Sequence, residues 1–131
     1  MIFVSYLFPI KYIFNESFNL FGILIVLLGI SIILITARLF KRFNTPIKPF
    51  KQSTYLITTG LYKYTRNPIY LGMVIILIGL AIYLGSVSSF FVIPIFIWLI
   101  QTNFIEIEEE GLLNTFGRDY VSYKKKVRRW I

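Results

Sequence analysis

Long uncharged runs set the hydrophobic pattern of the chain. The first extends from Phe18 to Ala37 and the second from Ile69 to Asn103, with the polar break YLGSVSS near the middle of the second run. An α-helix rises about 1.5 Å per residue, so about 20 residues cross the hydrocarbon core of a bilayer. The pattern therefore predicts three transmembrane helices, at 18–37, 69–84 and 89–103, of which the last two form a hairpin.

Weaker patterns flank these runs. Residues 1–14 are apolar but short and interrupted by Pro9, which predicts a short, tilted or re-entrant helix. In residues 41–68, prolines followed by STYLITTG indicate a largely extended loop. After residue 104 the helical spacing continues through Ile105, Leu112, Leu113 and Phe116, which predicts that the last span projects beyond the bilayer and ends near Gly117. An amphipathic segment then closes the chain.

These elements predict an all-α, polytopic membrane helical bundle in one domain, residues 1–131. Its parts are N-terminal membrane helices (1–40), a cytoplasmic loop (41–68), a helical hairpin (69–104) and cytoplasmic C-terminal helices (105–131). Gly72, Gly79 and Gly85, on the hairpin helices, predict close helix contact.

Composition and charge support a membrane location. The chain has 131 residues, of which 56% are hydrophobic and 15% charged. Basic residues gather in residues 38–66 and 118–129, whereas the turn between the hairpin helices has none. The positive-inside rule then places the loop and the C-terminus on the cytoplasmic side. The expected partners are membrane lipids, not nucleic acid, and the oligomeric state stays open.

The residue inventory limits the possible chemistry. The chain contains no cysteine and no histidine, which excludes thiol nucleophiles, imidazole bases and the usual zinc ligands. Any metal site would need carboxylates, and we predict none.

Two clusters are candidates for ligand contact, each with an ordinary alternative. Glu106, Glu108, Glu109 and Glu110 repel one another on a helix. They require solvent, an arginine partner (Arg66, Arg118 or Arg129) or a cationic ligand. The second cluster, with Tyr62, Tyr64, Arg66 and Tyr70, is typical of an interfacial belt and also suits a ligand site. The basic tail YKKKVRRW is typical of a strap on anionic lipid.

Taken in order, the motifs resemble the isoprenylcysteine carboxyl methyltransferase and phospholipid methyltransferase family. The resemblance rests on residues of the loop, the projecting helix and the tail: Gly60, Tyr62, Arg66-Asn67-Pro68, Tyr70, Glu108-Glu109, Leu112, Phe116-Gly117, Tyr120, Tyr123, Val127 and Arg129. It covers nearly two-thirds of the chain, from about residue 44 to the C-terminus.

The resemblance implies a membrane enzyme that binds S-adenosylmethionine on the cytoplasmic side and methylates a lipophilic or lipid-borne acceptor. The implied cofactor-binding residues come from the loop, the start of the hairpin and the projecting helix: Thr54, Tyr55, Leu56, Ile57, Tyr62, Asn67, Pro68, Ile69, Tyr70 and Glu108. Arg66, Glu109 and Arg129 are expected to frame the catalytic site.

This sequence departs from the family pattern at two positions. Asn67 stands where many relatives have histidine, although asparagine also occurs there. Phe104 stands where the carboxyl methyltransferases have an arginine that can hold a substrate carboxylate, which weakens the expectation of a prenylcysteine substrate. Carboxylate, amine, thiol and hydroxyl acceptors stay open. The alternatives to an enzyme of this family are a non-catalytic membrane module that retains the fold and a fragment related to membrane sterol reductases.

Overall fold

The computed structural model describes residues 2–7, 17–46 and 54–131, and within these ranges every regular element is helical. The helices are α1 (Ile2–Leu7), α2 (Ser17–Arg42), a 3₁₀ turn (Gly60–Lys63), α3 (Pro68–Leu84), α4 (Val87–Ile100), a π-helical segment (Gln101–Ile105), α5 (Glu106–Phe116) and α6 (Arg118–Lys126). The all-α prediction is therefore confirmed over this part of the chain. The predicted N-terminal helix is helical over Ile2–Leu7, and its remainder lies outside the described residues.

Glycines hold α2 and α3 in close contact. A Cβ atom built on Gly22 would lie 2.6 Å from the carbonyl oxygen of Gly79, and one on Gly29 would lie 2.7 Å from that of Gly72. In each helix the two glycines are seven residues apart, about two turns, so they occupy one face. Because Gly22 meets Gly79 and Gly29 meets Gly72, the two helices run antiparallel.

The turn between α3 and α4 depends on Gly85. This residue has φ +65°, in the left-handed region, and its N–H donates to the carbonyl of Ala81 at 3.0 Å. The prediction that Gly72 and Gly79 allow close helix contact is confirmed, and the helix that they contact is α2. For Gly85 the structure shows a different role, since it ends α3 as a cap.

From α4 to α5 the chain forms one continuous helix. The π-helical segment joins α4 to α5 without a break, and α5 ends at Phe116 before Gly117, whose φ is +56°. The predicted helical continuation of the last span and its end near Gly117 are therefore confirmed. Of the apolar residues at helical spacing, Ile105 is buried whereas Leu113 is exposed.

Two stretches have the length and composition of membrane spans. Asn19–Arg42 has a mean hydropathy of 2.9 and Val87–Phe116 one of 1.8, with only 17% and 6% of their apolar windows buried inside the structure. Large apolar side chains, among them Leu24, Phe91 and Trp98, therefore face outward. Pro68–Leu84, the third predicted span, is apolar but shorter.

The glycine contact predicts a sharp difference between two substitutions to alanine. Gly22→Ala places a methyl group against the backbone of α3, and we expect overpacking to lower the free energy of unfolding by about 1–3 kcal/mol. Gly111→Ala is the control, because no atom lies within 4 Å of a Cβ at that position. Alanine there should be neutral or stabilising by up to about 1 kcal/mol. Unfolding in detergent micelles, followed by circular dichroism, measures both; equal effects would contradict the contact.

Candidate active site

The C-terminal tail packs on the loop that precedes α3. Tyr120, Tyr123 and Val127 are buried on one face of α6 and the residue that follows it. Leu56 and Tyr62 of the loop and Leu112 and Phe116 of α5 pack against them. The opposite side of α6 carries exposed lysines. This amphipathic arrangement brings two stretches about 60 residues apart in the sequence into one cluster.

Hydrogen bonds fix the tail against the loop. The backbone N–H of Arg66 donates to the carbonyl of Arg128 at 3.0 Å, and the side-chain amide of Asn67 donates to that of Arg129 at 3.0 Å. The hydroxyl of Thr65 donates to the same Arg129 carbonyl at 3.3 Å. The hydroxyl of Tyr123 donates to the carbonyl of Tyr62 at 2.7 Å. The side chain of Asn67, which the sequence assigned to a cofactor, thus holds the tail backbone.

Glu109 is clamped between two arginines. Its Oε1 lies 3.1 Å from Nη1 of Arg66, and Arg129 donates from Nε to Oε1 at 3.1 Å and from Nη2 to Oε2 at 2.8 Å. The side chains of Glu109 and Arg66 are only 10% and 9% exposed. A buried carboxylate is stable when it is paired and hydrogen-bonded in this way. Both Glu109 oxygens are therefore engaged by guanidinium groups.

Glu108 has a different environment from its neighbour. The hydroxyl of Tyr70 donates to Oε1 of Glu108 at 2.7 Å, and the glutamate is partly buried. Among the described residues no lysine or arginine forms an ion pair with it. The site therefore holds one compensated carboxylate and, next to it, one without a cationic partner.

Burial keeps the aromatic hydroxyls neutral. It raises the pKa of Tyr62 and Tyr123 above the usual tyrosine value, and it raises that of Tyr120 against the opposing effect of Arg66. The hydrogen bond from Arg129 to Glu109 raises the pKa of the Arg129 guanidinium. At neutral pH these tyrosines are hydrogen-bond donors and not bases.

Arg66 has a buried donor without a partner. Its Nη1 contacts Glu109 and also donates to the Tyr120 hydroxyl at 3.3 Å. Its Nε is buried and has no hydrogen-bond partner among the described residues. A buried donor left unpaired is costly, and at a functional site it is often satisfied by a bound molecule.

The structure brings many, but not all, of the sequence-predicted residues to this site. Arg66, Tyr70, Glu108, Glu109 and Arg129 form the contacts described above. Pro68 and Ile69 open α3 beside them. In the extended stretch before the 3₁₀ turn, Ile57 is buried and Leu56 reaches the aromatic cluster.

Thr54 and Tyr55 attach elsewhere. Thr54 bonds to Asn44 and Thr45 beyond the end of α2, and Tyr55 stacks on Phe43 with ring centroids 4.4 Å apart. Their cofactor roles stay predictions, as do those of the other assigned residues.

Sequence reasoning assigned no site role to several residues that build this region. Tyr120 and Tyr123 support the loop, although their spacing with Val127 on one helical face was a visible signal. The indole N–H of Trp130 donates to Oε1 of Gln101 at 3.2 Å, tying the chain end to the π-helical segment. Nothing in the linear pattern indicated that pair.

Comparisons with known proteins agree with the resemblance. The family model described as phospholipid methyltransferase matches residues 18–119. The protein-S-isoprenylcysteine O-methyltransferase of Saccharomyces cerevisiae is 33% identical over 94% of this chain and 54% of its own length. An Arabidopsis thaliana relative, protein-S-isoprenylcysteine O-methyltransferase B, is 31% identical over 82% of this chain and 55% of its own length.

A solved structure also matches. It is that of a eukaryotic intramembrane Ras methyltransferase, isoprenylcysteine carboxyl methyltransferase, with a TM-score of 0.72 and 28% sequence identity. The match covers 99% of this chain and 47% of the solved one. The chain thus spans about half the length of these relatives.

The Glu109 clamp predicts a large effect on stability. Glu109→Gln leaves two guanidiniums without their carboxylate, and we expect a loss of about 3–5 kcal/mol in the free energy of unfolding. Glu110→Gln, an exposed neighbour on the same helix, should change it by less than about 0.5 kcal/mol. Denaturant titration in micelles and limited proteolysis of the tail measure the difference. Similar stability of the two variants would show that the ion pairs do not hold the tail.

Proposed function

The chain belongs to the phospholipid methyltransferase family, and from that premise we propose that it is an integral-membrane methyltransferase that uses S-adenosylmethionine to methylate a lipophilic acceptor. The observation that carries the proposal is the pair of adjacent glutamates at the junction of loop and tail. Glu109 is neutralised by two arginines, whereas Glu108 has only the hydroxyl of Tyr70. A partly buried carboxylate without a cation suits a cationic ligand.

We also propose three membrane spans with the site on the cytoplasmic side. The antiparallel α2 and α3, followed by the hairpin to α4, place the end of α2, the start of α3 and the end of α4 at one face. The 17 residues of α3 extend about 26 Å, close to the thickness of a bilayer core. Basic residues of the loop and tail lie at that same face, which supports a cytoplasmic orientation.

The residues present fit S-adenosylmethionine. Glu108 and Tyr70 would face its positive charges, and Tyr62 offers an aromatic surface nearby. When bound, this cofactor supplies a methyl group on a sulfonium sulfur. The contribution of the protein is then to align the acceptor and to exclude water, for which no histidine or cysteine is needed.

For the acceptor we propose a carboxylate, the group methylated in a prenylcysteine. The relatives named above are O-methyltransferases for isoprenylcysteine. In this chain Phe104 stands at the position where the carboxyl methyltransferases are expected to have an arginine. The buried, unpaired Nε of Arg66 can instead donate to an anionic oxygen of the acceptor. The amine of a phospholipid headgroup is the alternative.

Methyl labelling distinguishes the acceptors. The purified chain in vesicles is incubated with methyl-labelled S-adenosylmethionine and either a farnesylated cysteine with a free carboxylate or phosphatidylethanolamine. We expect label in the farnesylated cysteine, released as methanol by mild base because a methyl ester is hydrolysed whereas an N-methyl group is not. The carboxamide of the same compound is the control and should stay unlabelled. Label in phosphatidylethanolamine alone would contradict the carboxylate proposal, and no label in either would favour a non-catalytic module.

A cofactor-binding experiment tests Glu108 directly. We expect Glu108→Gln to weaken S-adenosylmethionine binding at least tenfold, because the neutral amide cannot compensate a cation. Glu110→Gln, with the same change at an exposed position, should bind as the parent does. Isothermal titration calorimetry gives both affinities. Repeating it with S-adenosylhomocysteine, which lacks the sulfonium charge, tells whether Glu108 faces the sulfur or the ammonium group. Equal affinities for the two variants would show that the carboxylate is solvated surface.

A further inference from the structure

A groove lies between the end of α2 and the 3₁₀ turn, and Leu61 of the turn lines it. It has a volume of about 240 Å³ and lies between one face of α2 and the first residues of the turn. The residues that define it are Ile35, Arg38, Leu39, Arg42, Gly60 and Leu61. We call it the α2 groove.

The floor of the groove is apolar. Ile35, Leu39 and Leu61 supply hydrocarbon surface, and the hydroxyl of Thr36 is turned back to the carbonyl of Ile32 at 2.8 Å. Gly60 has φ +62°, and a Cβ there would lie 3.3 Å from Leu39 Cδ2, so a glycine lets the turn approach α2 closely. Such a surface suits a hydrocarbon chain.

The rim of the groove is cationic. Arg38 and Arg42 are four residues apart, on one face of α2, and both are exposed. Among the described residues neither forms an ion pair or a side-chain hydrogen bond, and the paired carboxylate of α5, Glu109, contacts Arg66 and Arg129 instead. Like charges at this spacing repel, and the planar guanidinium group favours phosphate oxygens. Charge complementarity therefore calls for an anion.

The groove continues into the outward surface of α2. Ile35 is half exposed, and Leu34, Leu28 and Leu24 are also exposed along the helix. A volume of about 240 Å³ is below the roughly 300–1,000 Å³ of pockets that enclose a whole small molecule. It suits one segment of a hydrocarbon chain, with the remainder of the amphiphile outside, along the helix.

We propose that the α2 groove binds an anionic phospholipid of the membrane, with its phosphate on Arg38 and Arg42 and one hydrocarbon chain against Ile35, Leu39 and Leu61. This site is separate from the methyl-transfer site, because Tyr62 packs toward the aromatic cluster whereas the neighbouring Leu61 lines the groove. The proposal does not depend on methyltransferase activity and is tested without it.

Lipid-dependent stability tests the site. The chain is placed in nanodiscs of phosphatidylcholine with increasing phosphatidylglycerol, and its unfolding temperature is measured. We expect phosphatidylglycerol to raise the unfolding temperature of the parent chain. The fraction of phosphatidylglycerol that gives half of this rise should be at least fivefold higher in Arg38→Gln/Arg42→Gln. Lys41→Gln/Lys63→Gln is the matched control, since it removes two exposed charges nearby that do not line the groove. It should respond as the parent does.

A second variant keeps both arginines. Leu61→Glu places a carboxylate in the groove, where it can pair with them, and should weaken the lipid response as the arginine variant does. Equal losses in the lysine control would overturn the proposal in favour of diffuse interfacial charge. Stabilisation by inorganic phosphate in phosphatidylcholine discs, equal to that by phosphatidylglycerol, would overturn it in favour of a simple anion site.

Discussion

The ion pairs of Glu109 with Arg66 and Arg129 are the interaction on which the site depends. They join three parts of the chain through one carboxylate: the loop before α3, the helix after the hairpin and the tail. Removing a carboxylate and a guanidinium from water is costly, and the cost is offset only when the geometry is good and the remaining donors are satisfied. Backbone bonds from Arg66 to Arg128 and from Asn67 to Arg129 hold that geometry.

The same interaction separates the roles of two neighbouring glutamates. Successive residues on an α-helix point about 100° apart, so Glu108 cannot share the arginine pair that surrounds Glu109. It turns instead toward Tyr70 at the start of α3. Holding Glu109 thus also orients Glu108, which is why a stability defect and a binding defect are expected from adjacent positions.

Much of this arrangement could be predicted from the sequence, because it depends on hydrophobic periodicity and composition. The uncharged runs, the end of α5 at Gly117 and the amphipathic α6 follow from local rules that act within a few residues. The nearness of Tyr70 and Glu108 was implied by the family resemblance and agrees with the structure. Features that depend on complementarity between distant surfaces were not visible. Gly22 gave no sign that it faces Gly79, and nothing indicated that Thr65 and Asn67 donate hydrogen bonds to the carbonyl of Arg129.

The π-helical segment has a consequence for every residue that follows it. Phe91 and Glu109 are 18 positions apart, which at about 3.6 residues per turn is five complete turns. An unbroken α-helix would therefore place Glu109 directly in line with Phe91, on the outward apolar side. One wider turn at Gln101–Ile105 accommodates an extra residue and rotates the later positions backward by about a quarter of a revolution. Because of this rotation, one continuous helix can expose an apolar face in α4 and bury the carboxylate of Glu109 in α5.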